Sequence, residues 1–131
     1  MLHRSELESI AKARIEDAEI LYESARYDGA IYLCGYGVEI AFKARICRTL
    51  KWSGYPSTRS EFENYQSFKT HDLDVLLKLS GIEAKIKKSF LTDWSIVATW
   101  DPEIRYKPIG SANEEDVKSM IESSKVLLGP L

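Results

Sequence analysis

A stretch near the middle of the chain constrains the fold most, because it is apolar on most sides of a helix. Residues 29–50 read GAIYLCGYGVEIAFKARICRTL. A helix that is apolar on more than one face lies at the centre of a helical domain. Flanking segments also repeat apolar residues at helical spacing, and none sustains the alternation typical of a strand. The sequence therefore predicts an all-α bundle with one domain, residues 1–131.

Capping patterns predict where the other helices begin. Ser5 and Ser111 each stand three residues before a glutamate, as in a capping box, so a helix is expected to start at each. Asp28 is suited to cap the central helix by accepting bonds from backbone N–H groups. The remaining expected helices are a short one within residues 60–68, one from Thr70 or His71 to Leu79, and one from Glu83 to about Trp100.

Composition and charge narrow the functional class. The 131 residues carry a net charge of −2, and the isoelectric point is near 5.7. Proteins that coat nucleic acid generally have a strongly basic balance, so that class is not expected, although a local basic patch is compatible with these values. No apolar run is long enough to span a bilayer and no signal-peptide pattern occurs, so a cytoplasmic protein without membrane contact is expected.

Two isolated cysteines, Cys34 and Cys47, fall on the predicted central helix. Their spacing along one helix corresponds to roughly 20 Å, which is too far for a disulfide between them. Buried thiols in a reducing compartment are the expected state. A single histidine outside the N-terminus, with no cluster of ligands around it, gives no metal site, and no cofactor is expected.

The central helix also places Glu39 and Lys43 one turn apart among apolar neighbours. Glutamate followed by lysine at this spacing is the favourable order for an ion pair on a helix. Two interpretations stay open. The pair either neutralises itself while partly buried, or forms the polar floor of a ligand site.

Two later motifs carry further candidates. At the expected start of the short helix, Thr70 and Asp72 are suited to capping it, and His71 is positioned to meet a phosphate or a base at the helix N-terminus. After the turn at residues 101–102, Arg105 either pairs with a nearby acid or binds phosphate, and Tyr106 either packs on the bundle or stacks on a base.

Three of these segments, in this order, resemble the HEPN family, the higher-eukaryote and prokaryote nucleotide-binding domain. They read AIYLCGYGVEIAFKARI at residues 30–46, THDL at 70–73 and WDPEIRY at 100–106. The resemblance implies an up-and-down bundle of four or five helices, often a homodimer, with a link to nucleotide or RNA chemistry. Many members sit beside a minimal nucleotidyltransferase that is encoded as a separate chain.

The ribonuclease toxins of that family resemble one another in a motif of an arginine, four to six residues and a histidine. The positions that would hold the arginine before His71 are Asn64, Tyr65 and Gln66. The motif is therefore absent at His71, which favours a non-catalytic member.

The leading hypothesis is a HEPN-type homodimer that binds a nucleotide or an RNA end and leaves the chemistry to a nucleotidyltransferase partner, in a toxin–antitoxin or defence-type system. The expected ligand-binding residues are Glu39, Lys43, His71, Arg105 and Tyr106. Lys43 and Arg105 would contact phosphate, Tyr106 would stack and His71 would form a hydrogen bond. The alternatives are a divergent ribonuclease toxin using His71 and Arg105, and a purely structural interaction module.

Overall fold

Seven α-helices and a minimal sheet make up the computed structural model, which describes residues 1–131. The helices are α1 (Arg4–Glu23), α2 (Tyr27–Leu50), α3 (Arg59–Phe62), α4 (Leu73–Leu79), α5 (Glu83–Ser89), α6 (Leu91–Val97) and α7 (Glu114–Leu128). The two strands, β1 (Leu2–His3) and β2 (Gly54–Tyr55), pair antiparallel, and 3-10 turns occupy Gln66–Phe68 and Pro102–Tyr106. The predicted all-α class is confirmed.

The long helix α2 lies between α1 and α7. A Cβ atom added at Gly37 would lie only 3.0 Å from the carbonyl oxygen of Ala11, so this glycine lets α1 and α2 approach closely. On the other side, the Sγ atom of Cys34 lies 3.2 Å from the Oγ atom of Ser124 in α7. Both cysteines are buried and free. The predicted central position of this helix is therefore confirmed.

The predicted caps are wrong at three helix starts. α1 begins after His3 rather than Ser5, because β1 leads directly into it and the Arg4 N–H donates to the carbonyl of Ser53 at 3.1 Å. α2 begins at Tyr27, and the carboxylate of Asp28 is used elsewhere, as described below. α7 is capped by Asn113 rather than Ser111, since the Asn113 side chain accepts from the N–H of Asp116 at 2.8 Å.

Two expected helices are interrupted, which gives more helices than the four or five implied by the resemblance. The segment from Glu83 to Trp100 breaks at Phe90, whose φ of −133° is not helical and whose side chain packs against the core. The segment within residues 60–68 divides into α3 and the 3-10 turn. At Phe90 the aromatic side chain packs inward, and this tertiary contact outweighs local helix propensity.

An aromatic cluster holds the segment before His71 against the bundle. The ring centroids of Trp52 lie 5.0 Å from Phe68 and 5.2 Å from Tyr65. The hydroxyl of the buried Tyr55 donates to the carbonyl of Phe68 at 2.6 Å. Residue 71 therefore follows a fixed support rather than a free loop.

Trp94 and Trp100 lie in the core. The Trp100 ring covers Gly35 so closely that a Cβ atom at residue 35 would overlap its ring atoms. This contact fixes the entry to the 3-10 turn that carries Arg105. No helix combines the length and apolar character needed to cross a membrane.

Candidate functional site

A buried carboxylate organises the polar residues of α2. Glu39 is only 2% exposed, and its Oε2 atom accepts from Lys43 Nζ at 3.0 Å. The same oxygen lies 2.9 Å from Nδ1 of His71. A buried carboxylate without partners would be strongly destabilising, and these contacts offset its desolvation.

The contact with Glu39 sets the tautomer of His71. An ionised carboxylate only accepts hydrogen bonds, so Nδ1 carries the proton. Nε2 of the neutral ring is then left with a lone pair. The His71 side chain is 67% exposed. The ring therefore has one nitrogen anchored in the protein and one available to a ligand.

The side chains on either side of His71 form hydrogen bonds with the neighbouring backbone. Asp72 caps α4, because its Oδ1 atom accepts from the N–H groups of Asp74 at 2.9 Å and Val75 at 3.3 Å. Thr70 Oγ1 accepts from the N–H of Asp72 at 3.0 Å. These bonds fix the backbone around residue 71, so only His71 remains free to face Glu39.

Lys43 joins this cluster to the aromatic support. Its Nζ atom lies 5.4 Å from the centroid of the Tyr55 ring, in a cation–π contact, and its side chain is 14% exposed. Burial is the main cause that raises the pKa of Tyr55 above its ordinary value. The phenol therefore stays neutral and keeps its hydrogen bond to Phe68.

Arg105 and Tyr106 form a second group. The guanidinium of Arg105 lies 4.9 Å from the centroid of the Tyr106 ring. Its interaction with Tyr32, followed by that with Tyr106, raises the pKa of Arg105 above its ordinary value. Tyr106 is 71% exposed. Neither Asp101 nor Glu103 forms a salt bridge with Arg105, so its charge is available to a ligand.

The structure places the five predicted site residues in two groups on one side of α2. Glu39, Lys43 and His71 are in direct contact, whereas Arg105 and Tyr106 adjoin Tyr32, seven residues before Glu39. Seven residues correspond to roughly 10 Å along a helix. No hydrogen bond or salt bridge joins the two groups.

Two tyrosines that the sequence reasoning missed lie between these groups. The rings of Tyr32 and Tyr36 stack with centroids 6.3 Å apart and an interplanar angle of 16°, and Tyr36 is exposed. Residues 32, 36, 39 and 43 follow a spacing that puts them on one helical face. We call this face, with His71, Arg105 and Tyr106, the polar face of α2. The same spacing was the signal that could have identified both tyrosines.

No group of three or more His, Cys, Asp or Glu side chains converges as it would around a metal ion. No protein-family model, curated protein or solved structure matches this chain.

Proposed function

We propose that this chain is a non-catalytic, HEPN-type subunit whose polar face of α2 binds a nucleotide or the end of a single-stranded RNA. One observation carries the proposal. An arginine without an acidic partner stands at one end of the face and an exposed imidazole at the other, with an exposed tyrosine ring between them. Basic groups interleaved with aromatic rings are the usual arrangement for single-stranded nucleic acid.

Each end of the face has a distinct task. Arg105 is charged and lacks an acidic partner, so it is suited to bidentate contact with a phosphate. Tyr106 and Tyr36 offer exposed ring faces to bases. With Nδ1 held by Glu39, His71 presents Nε2 to a ribose hydroxyl or a base, while Lys43 stays paired with Glu39.

The separation of the two ends favours binding over catalysis. His71 contacts α2 at Glu39, whereas Arg105 adjoins Tyr32, seven residues or roughly 10 Å away along the helix. General-base and phosphate-stabilising groups must act on atoms within hydrogen-bond reach of each other. The homodimer and the minimal nucleotidyltransferase chain implied by the resemblance belong to the same proposal. The partner would supply the chemistry, in a cytoplasmic toxin–antitoxin or defence-type system.

The test is fluorescence anisotropy with a short, end-labelled, single-stranded RNA and with labelled ATP. Arg105→Ala should weaken binding about tenfold without lowering the melting temperature, because a charge-assisted contact on the surface is lost. Arg4→Ala is the matched control, since Arg4 lies on α1, which packs on the opposite side of α2. If the Arg105 and Arg4 variants bind RNA and ATP with equal affinity, the polar face of α2 is not the binding site.

A divergent ribonuclease is the second candidate, and the Glu39–His71 contact favours it. A histidine whose Nδ1 is held by a buried carboxylate can accept a proton at Nε2, as a general base does. The proton would come from an RNA 2′-hydroxyl whose oxygen attacks the adjacent phosphorus. The P–O5′ bond then breaks, which leaves a 2′,3′-cyclic phosphate on one fragment, and the departing 5′-oxygen takes a proton from water to become a hydroxyl. Growth arrest on expression, relieved by His71→Ala, would support this candidate. Harmless expression together with intact RNA after incubation would exclude it.

A further inference from the structure

A cavity of about 680 Å³ opens at the end of the molecule where α6, α7 and the turn carrying Arg105 meet. Its floor is aliphatic, formed mainly by Ile31, Ile96, Ile104 and Met120. Pockets of this size and lining are typical of small-molecule sites in proteins. Neither His71 nor Glu39 belongs to the lining, so the cavity is distinct from the His71 end of the polar face of α2.

The lining carries two carboxylates, Asp28 and Asp116, and two cations, which are engaged differently. Asp28 is already engaged, because its two carboxylate oxygens accept from the N–H groups of Gly110 at 2.7 Å and Ala112 at 3.0 Å. Asp116 accepts from the side-chain amide of Asn113 at 2.8 Å. The two cations of the lining, Arg105 and Lys107, have no acidic partner. The site therefore has an apolar floor and two cations that form no salt bridge.

Residues 107–112 form a strap that contributes to the cavity lining and is held in place by hydrogen bonds. The bonds from Gly110 and Ala112 to Asp28 tie residues 107–112 to the start of α2. Ile109 on this strap is fully exposed while contributing to the lining. An isoleucine side chain in water at the rim of an aliphatic cavity is an unfavourable arrangement that an apolar ligand would relieve.

We propose that this cavity binds a small organic anion with an aliphatic body, either a carboxylate or a phosphate monoester. The aliphatic part lies on the isoleucine floor and under Ile109, and the anionic group lies between Arg105 and Lys107. Burial of the aliphatic part supplies most of the affinity, and the two cations select for the anion. The inference does not depend on RNA binding by the polar face of α2.

Calorimetric titration with four probes tests this chemistry. Octanoate and octyl phosphate should both bind the wild type saturably with one site per chain, and the tighter of the two identifies the anionic group. 1-Octanol should bind at least tenfold more weakly, because it lacks charge. Inorganic phosphate should give no saturable heat, because it lacks the aliphatic part. Absence of saturable binding by both octyl anions would overturn the proposal.

Two pairs of variants locate the site. Ser119 lines the cavity from α7 and is exposed, so Ser119→Trp should fill it and abolish octanoate binding, whereas Ser119→Ala should bind as the wild type does. Lys107→Glu should weaken binding about tenfold, whereas Lys118→Glu, one residue before Ser119 but outside the lining, should not. Wild-type affinity in Lys107→Glu would refute the site, even if Ser119→Trp does not fold.

Discussion

Nδ1 of His71 lies 2.9 Å from Oε2 of Glu39, although 32 positions separate the two residues in the chain. The pair joins a side chain that is almost wholly buried to one that is mostly exposed. Lys43 balances the charge of Glu39 from within the same helix. The carboxylate therefore serves the core and the surface at once: it satisfies a buried lysine and orients an exposed imidazole.

The first prediction separates these two tasks. Glu39→Gln removes the counter-charge of the largely buried Lys43, so the free energy of unfolding should fall by about 3 kcal/mol. His71→Ala removes only the exposed partner and should cost less than about 1 kcal/mol. Urea denaturation of both variants measures the difference. Equal losses of unfolding free energy in the two variants would show that buried Lys43 does not require the charge of Glu39. If Lys43 does require that charge, the double variant Glu39→Gln/Lys43→Met should be more stable than Glu39→Gln alone.

The second prediction concerns the contact between Gly35 and Trp100. A Cβ atom at residue 35 would overlap the indole ring, so Gly35→Ala should displace Trp100 and lower stability by about 3 kcal/mol. Gly29→Ala in the same helix meets only Leu21 Cδ1, at 3.3 Å, and should be neutral or slightly stabilising. Thermal unfolding and the tryptophan emission maximum report both effects. An unshifted emission maximum in Gly35→Ala would contradict the described packing.

The third prediction is a pH dependence that originates at Asp28. Hydrogen bonds from Gly110, followed by Ala112, lower the pKa of this carboxyl below its ordinary 3.8. A lowered folded-state pKa stabilises the fold above the unfolded pKa, and this contribution is lost as pH falls through the folded pKa. The stability difference between wild type and Asp28→Asn should therefore shrink on acidification below about pH 4. Glu63→Gln serves as the control variant, since Glu63 is an exposed acid away from the cavity lining.

The fourth prediction is that both thiols are unreactive in the folded protein. Burial raises the pKa of Cys34 to about 11, and burial also raises the pKa of Cys47. The thiolate is the reactive form, so a colorimetric disulfide reagent at neutral pH should label neither residue until urea unfolds the chain. Rapid labelling of one thiol under native conditions would show that α2 opens locally around it.

The sequence predicted the fold class and the central helix because a helix that is apolar on most sides has only one favourable place in a bundle. It misplaced helix starts at Ser5 and Asp28 because capping there is decided by distant partners, the carbonyl of Ser53 and the strap at residues 110–112. Those partners are distant in the chain, so the local sequence around each helix start could not reveal them.

One part of the candidate site could likewise be predicted from the sequence, and another part could not. The spacing of Glu39 and Lys43 revealed their ion pair, since both lie on one helix. The approach of His71 to Glu39 depends on the path of residues 52–70, which the aromatic cluster fixes through tertiary contacts. The position of Arg105 beside Tyr32 depends likewise on the packing of the Trp100 ring over Gly35. Neither approach follows from spacing alone.

The most direct test of the proposed function is calorimetric titration with a short single-stranded RNA, using wild type, His71→Ala, Arg105→Ala and the double variant. If one RNA contacts both ends of the polar face of α2, the wild type binds saturably and each single variant loses about tenfold in affinity. The double variant then loses about as much as the two singles combined, since the ends do not touch each other. Absence of saturable heat from the folded wild type, or wild-type affinity in both single variants, would contradict the proposal.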